Sequence, residues 1–142
     1  IEDRIYGCDD CLDACPPGLR LLESSKEVRG REELIELLSL PDDQLDTRFN
    51  RFYVPGRKMR FVRRNLLVAL GNSGTESAID TLATYARGSD SLLSEHAIWA
   101  LGRIGGPKAR DVLTHMDTSA LDAEGARTRQ SVLTRLDAPM GK

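Results

Sequence analysis

The chain has 142 residues and a mass of 15.7 kDa, enough for one ordinary domain or one small domain with an appendage. With 40% apolar and 30% charged residues it can bury a core, and its composition is not that of a disordered chain. A net charge of −2 excludes a wholesale polybasic or polyacidic binder, and no apolar run approaches the ~18 residues of a membrane span or opens the chain as a signal peptide.

Ile1 rather than Met stands first, and a piece of a longer polypeptide is expected. The first zone, residues 1–20, is rich in cysteine and proline with little periodicity. All three cysteines lie there, as Cys8-x2-Cys11-x3-Cys15-Pro16. An odd number at such tight spacing suits one inorganic centre better than a secreted disulfide framework, and points to the reducing cytosol. Thiolates hold 4Fe-4S clusters four at a time, and a cysteine before proline is the one that two-cluster ferredoxins lend to the other cluster. A Cys3His zinc site with His96 or His115 as fourth ligand is the metal alternative.

The connector, residues 21–56, contains a helix whose apolar face is Leu34, Ile35, Leu37 and Leu38. Pro41 then opens a second short helix with Asp42, Asp43 and Leu45. Tyr53-Val54-Pro55-Gly56 reads as a loop. Charge is segregated along the chain. Residues 1–46 hold 13 acids and 5 bases, a net −8; residues 47–75 hold 7 bases and no acid, a net +7; residues 76–142 hold 8 bases and 9 acids, a net −1. The seven cations, Arg48, Arg51, Arg57, Lys58, Arg60, Arg63 and Arg64, are interleaved with Phe49, Phe52, Tyr53 and Phe61. Such a mixture can meet phosphates and offer stacking faces to RNA; the other reading is that the aromatics are core and the cations only solvate a face. Arg60, Arg63 and Arg64 fall at i, i+3, i+4, which predicts one solvent-facing helical stripe, with Phe61, Leu66, Leu67 and Leu70 serving the core. Arg57, Lys58, Arg60, Arg63 and Arg64 are the candidate RNA-binding residues.

Residues 57–142 repeat. The segment Arg64–Gly74 aligns with Glu95–Gly105 at a shift of 31 residues, and Ala78, Asp80 and Leu82 align with Ala109, Asp111 and Leu113. Each unit is an amphipathic helix, a glycine-containing turn and a second amphipathic helix, which is the pattern of a helical solenoid. A third unit starts near Asp122 and keeps only a first helix through Leu136, as a cap. About six or seven helices and no sheet are expected, in an all-α fold. Gly71 and Gly102 end the first helix of each unit, and Gly74 and Gly105 lie in the turn; left-handed backbone after a helix is the reason for glycine. A phosphate-cradling glycine loop would need a preceding strand, and none is readable. Trp99, aligned with Val68, is expected in the core. No carboxylate or serine is patterned around His96, His115 lies where a helix end favours positive charge, and no catalytic residue is assigned.

The 31-residue unit ending its first helix in Ala-Leu-Gly-x-x-Gly resembles the short HEAT-type repeat of phycobilisome-lyase-like proteins. Ile5-Tyr6-Gly7-Cys8-Asp9-Asp10-Cys11-Leu12-Asp13-Ala14-Cys15-Pro16, followed by Phe61-Val62-Arg63-Arg64-Asn65-Leu66-Leu67-Val68-Ala69-Leu70-Gly71-Asn72, resembles the C-terminal part of epoxyqueuosine reductases. These are iron–sulfur and cobalamin enzymes that complete queuosine in the tRNA anticodon. The chain departs from their usual pattern in having Pro17-Gly18 where Trp-Asn follows the Cys-Pro. The resemblance implies that residues 1–20 are the incomplete end of a 4Fe-4S ferredoxin-like module. In it Cys8 and Cys11 would ligate the second cluster and Cys15 the first, with the remaining ligands, the cobalamin pocket and the catalytic acid upstream. It further implies a cytoplasmic protein with tRNA as partner, an unidentified electron donor, no membrane association, and no stated oligomeric order beyond a favoured monomer. The three cysteines alone cannot fill one cluster, so the chain by itself is expected to be inactive and without an intact cluster. The competing reading is a HEAT-type scaffold that docks a protein partner, attached to an electron-transfer protein with another substrate.

Overall fold

A computed structural model describes residues 31–138; the cysteine segment and its three candidate ligands lie outside these. The described residues form seven α-helices and no strand, as the period predicted: α1 (Arg31–Ser39), α2 (Asp42–Arg48), α3 (Arg60–Asn72), α4 (Ile79–Ala86), α5 (Ser91–Ile104), α6 (Gly106–His115) and α7 (Ala123–Asp137). Two single 3-10 turns, Pro55–Arg57 and Glu76–Ala78, lead into α3 and α4.

The 31-residue register is visible in the helix starts, since α3 opens at Arg60 and α5 at Ser91. Pairs α3/α4 and α5/α6 are the two full units and α7 is the single helix of the third. Helix α5 is the middle of the stack and packs on α3, α4, α6 and α7, while α1 covers the other flank of α3. Leu66, Leu67 and Leu70 of α3, Ile79 and Leu82 of α4, Ile98 and Leu101 of α5, and Leu113 of α6 are fully buried between these layers. Each such side chain stabilises the stack by about 1.5–3 kcal/mol.

The helix starts are set by side-chain caps. Asp90 accepts the Leu93 amide at 3.2 Å to begin α5, and Asp122 accepts the Gly125 amide at 2.8 Å to begin α7. A cap of this kind contributes about 1 kcal/mol. Pro41 is the residue just before α2, and Asp42 and Asp43 fill its first turn, where acids oppose the positive end of the helix dipole.

Two expectations are corrected. Of the four glycines, only Gly74 (φ 67°) and Gly105 (φ 71°) are left-handed; Gly71 and Gly102 lie inside α3 and α5. Those two are needed for approach. A Cβ on Gly71 would sit 2.7 Å from Ala100 Cβ and 2.8 Å from Ala100 Cα of α5, and one on Gly102 would sit 2.4 Å from Val132 Cγ1 of α7. Each first helix therefore leans its glycine against the first helix of the next unit. Second, Phe61 is only half-buried, and Val62 takes the core place beside it. Trp99, placed in the core by its alignment, packs against it while staying half-buried.

Candidate nucleic-acid interface

The cations of residues 48–64 sit on the end of α2, on the loop that follows, and on the first turns of α3. Arg57 is in the left-handed region (φ 52°) directly after Gly56 (φ 57°), which turns its side chain back beneath the loop. Its guanidinium donates to the carbonyl oxygens of Asp46 (3.1 Å), Phe49 (3.4 Å) and Phe52 (3.1 Å) and pairs with the Asp46 carboxylate. Arg60 donates to Asp90 Oδ1 at 2.8 Å, so the carboxylate that caps α5 also ties it to the start of α3.

Arg63 does not face solvent. Its side chain is 12% exposed and donates to the carbonyls of Leu38 (2.8 Å) and Leu40 (2.6 Å), to the Tyr85 hydroxyl (3.0 Å) and to Asp42 Oδ1 (2.7 Å). Tyr85 in turn donates to the Leu38 carbonyl at 2.6 Å. These contacts satisfy carbonyls left open at the end of α1 and fasten α1, α2 and α4 to α3. Burial opposes the charge of Arg63, but Asp42 and Tyr85 outweigh it and hold the group above its ordinary pKa. The expected stripe of three equivalent arginines is thus split, because helical spacing groups side chains on a face without saying what covers that face.

Arg64 bonds the Asn65 side-chain oxygen at 3.0 and 2.7 Å, with its guanidinium 5.9 Å from the centre of the Phe61 ring, within reach of a cation–π contact. Arg48, Arg51 and Lys58 are exposed and have no hydrogen-bonding or anionic partner among the described residues. Three of the seven cations thus pair with a carboxylate and four do not. Asp42, Asp43, Asp46 and Asp90 line one open groove together with Arg57, Lys58, Met59 and Arg60. The +7 segment of the sequence is partly neutralised in space by acids that come from before and after it. Sequence reasoning missed these partners; Asp90 was findable as an acid just before an apolar helical run.

The interleaved aromatics also divide. Phe49 is buried and its ring lies 5.8 Å from that of Phe52, whereas Tyr53 is 77% exposed. The two histidines are occupied locally: His96 Nδ1 contacts the Leu92 carbonyl at 2.8 Å, and His115 lies beside Asp111 in the last turn of α6. Among the described residues no group of three or more His, Cys, Asp or Glu is placed to hold a metal ion, and no helix is long and apolar enough to cross a membrane.

Comparison with known proteins agrees with this architecture. The epoxyqueuosine reductase of Staphylococcus aureus is 26% identical over 143 residues, covering 96% of this chain and 37% of its own length. That of Salmonella typhimurium is 32% identical over 111 residues, covering 72% of this chain and 28% of its own. The chain therefore spans about a third of the length of these relatives. A crystal structure of epoxyqueuosine reductase with an epoxyqueuosine-modified tRNA-Tyr stem loop superposes with a TM-score of 0.73 at 24% identity, over 95% of this chain and 38% of that one. A selenomethionine-labelled epoxyqueuosine reductase gives 0.68 at 23% identity. At those identities the superpositions show a shared fold. The HEAT repeats family model matches residues 60–134, from the first residue of α3 into α7, and the chain belongs to the HEAT-repeat family.

Proposed function

We propose that this chain is part of a reductase acting on epoxyqueuosine in tRNA, a two-electron deoxygenation in which the epoxide oxygen takes up two protons and leaves as water. The observation that carries this reading is the S. aureus relative, aligned over 96% of the chain. That coverage must take in the Cys8–Cys15 segment as well as the repeats. The repeats alone would fit any scaffold.

In this reading Cys8 and Cys11 serve a second 4Fe-4S cluster and Cys15 the first, within an incomplete ferredoxin-like end at residues 1–20. Residues 21–56 connect it to the repeat part, 57–142. The described residues contain no cysteine and so supply no cluster ligand of this kind. Their contribution is RNA contact in a cytoplasmic protein. Lys58 and Arg64 offer charge outside any carboxylate pair. Arg57 and Arg60, with side chains 41% exposed, are in ion pairs worth about 0–1 kcal/mol, weak enough to be shared with a phosphate. Arg63 is a positioning residue. The neutralising acids favour one second reading, a scaffold for a protein partner.

The test is anaerobic reconstitution of the full-length protein with iron, sulfide and cobalamin, then assay on tRNA carrying epoxyqueuosine. Conversion to queuosine is expected. A fully loaded protein that binds tRNA yet leaves the epoxide untouched would overturn the reductase reading, and one that ignores tRNA would favour the scaffold.

A further inference from the structure

Between two buried anchors, Phe49 and Val54, each 4% exposed, the loop from α2 to α3 leaves Phe52 38% exposed and turns Tyr53 fully outward, at 77%. A chain whose neighbours on both sides are anchored in the core has an accessible alternative, since burying a tyrosine removes some 150–250 Å² from water. The loop forgoes it.

The loop is also held in place. Arg57 gathers the carbonyls of Asp46, Phe49 and Phe52 beneath it, and does so from left-handed backbone, φ 52°. That conformation costs a non-glycine residue about 1–2 kcal/mol, and such strain collects where a ligand is met. The clamp fixes the segment on either side of Tyr53, so a ligand would not have to order it, which favours binding.

Charge decides what kind of ligand. Arg48 and Arg51 precede Tyr53 and Lys58 follows it, all three exposed and without an anionic partner among the described residues. Arg51 and Tyr53 are two residues apart, so their Cα atoms lie within about 7 Å. Of the acids nearby, Asp46 is taken up by Arg57, Asp90 by Arg60 and Asp42 by Arg63; Asp43 shares the groove with Lys58 without pairing with it, and Arg48 and Arg51 lie outside that lining. An outward aromatic face rimmed by uncompensated cations is the arrangement that binds single-stranded nucleic acid, one element stacking a base and the others tracking the backbone. A duplex keeps its bases stacked on one another and offers that face nothing.

We propose that Tyr53 is a stacking platform for an unpaired RNA base, with Arg48, Arg51 and Lys58 meeting the flanking phosphates. This deepens the RNA-contact reading above and rests on it.

The experiment uses full-length protein and two RNAs. One is a hairpin carrying 2-aminopurine in its loop and the other is the fully paired duplex of the same stem, each titrated at several salt concentrations. Wild type should prefer the hairpin and change the 2-aminopurine emission on binding. Tyr53→Ala should weaken hairpin binding about five- to 150-fold, abolish the emission change and leave the salt slope intact, while Tyr53→Trp and Tyr53→Phe retain binding. Arg48→Ala with Arg51→Ala should instead lower the salt slope by about 0.7 per lost contact. Because Tyr53 is exposed, its variants should melt as wild type does, and this is checked in parallel. Hairpin binding unchanged in Tyr53→Ala overturns the stacking role and leaves RNA contact standing. Wild type that binds neither RNA overturns both. Equal affinity for hairpin and duplex, or capture by anionic vesicles in place of the hairpin, also overturns the proposal.

Discussion

Replacing Gly71 by alanine tests how the repeats are held together. The new Cβ would lie 2.7 Å from Ala100 Cβ, 2.8 Å from Ala100 Cα and 3.3 Å from Trp99 Cζ3, against about 3.5–4.0 Å for ordinary carbon contact. Helix α5 would have to retreat by roughly 1 Å, because the two nearest atoms, Ala100 Cβ and Cα, are fixed to the backbone and cannot rotate away. Overpacking of this kind costs about 1–3 kcal/mol. Alanine's better helix propensity returns up to about 1 kcal/mol. A net loss of about 1–2 kcal/mol is expected, or several degrees in Tm for a domain of this size. Adding Ala100→Gly should recover only part of it, because the Cα remains in the way. Gly102→Ala should cost at least as much, since its Cβ would lie 2.4 and 2.8 Å from the two methyls of buried Val132, a β-branched side chain with little freedom to turn away. Urea and thermal unfolding of all four proteins, followed by far-UV circular dichroism, give the comparison. If Gly71→Ala were as stable as wild type or more so, propensity would outweigh contact, and the close approach of α3 and α5 would not be what demands glycine.

Arg63→Met should destabilise by about 1–3 kcal/mol, because it strands the Leu40 carbonyl and leaves the Leu38 carbonyl to the Tyr85 hydroxyl alone; an unfolding midpoint within error of wild type would show that the network is dispensable. Asp90→Ala should cost about 1–2 kcal/mol through the lost cap of α5, whereas Asp90→Asn keeps the cap and loses only the ion pair with Arg60; equal losses in the two would contradict the capping role. The Asp117 carboxyl accepts the Ser119 amide at 2.9 Å, and the backbone and side-chain hydrogen bonds of Ser119 hold its pKa below the ordinary 3.8. A depressed folded pKa means that its contribution is complete above that ordinary value and fades as pH falls through the folded one. Carbon-detected NMR titration should show the depression and its loss in Ser119→Pro; an unshifted Asp117 in wild type would refute it.

Much of the fold was legible because repetition is a property of sequence order. The 31-residue shift located α3 and α5, the turn glycines Gly74 and Gly105, and the single closing helix. The basic face was less legible. Spacing placed Arg60, Arg63 and Arg64 on one side of a helix, but α1 and α4 lie against part of that side, and Arg63 is spent on Leu38, Leu40 and Tyr85. Asp46 and Asp90 neutralise Arg57 and Arg60 from 11 and 30 residues away, separations at which local charge counting is blind. Gly71 and Gly102 were misread for a related reason: proximity to a turn suggested a turn role, while the need for glycine came from a helix in the next unit.

Those two glycines also set how closely one unit can approach the next. Each unit offers its successor a notch one side chain deep, and the successor seats its own helix there. Helix α7 presents no such notch: after Gly125 in its first turn it runs through Leu133 and Thr134, in the places that correspond, without another glycine. A further helix laid on α7 would be held off by a layer of side chains and would lose the spacing that α3, α5 and α7 share. In a modular array, the distance between neighbouring modules can thus be encoded by single atoms at one position per module, here the presence or absence of a Cβ.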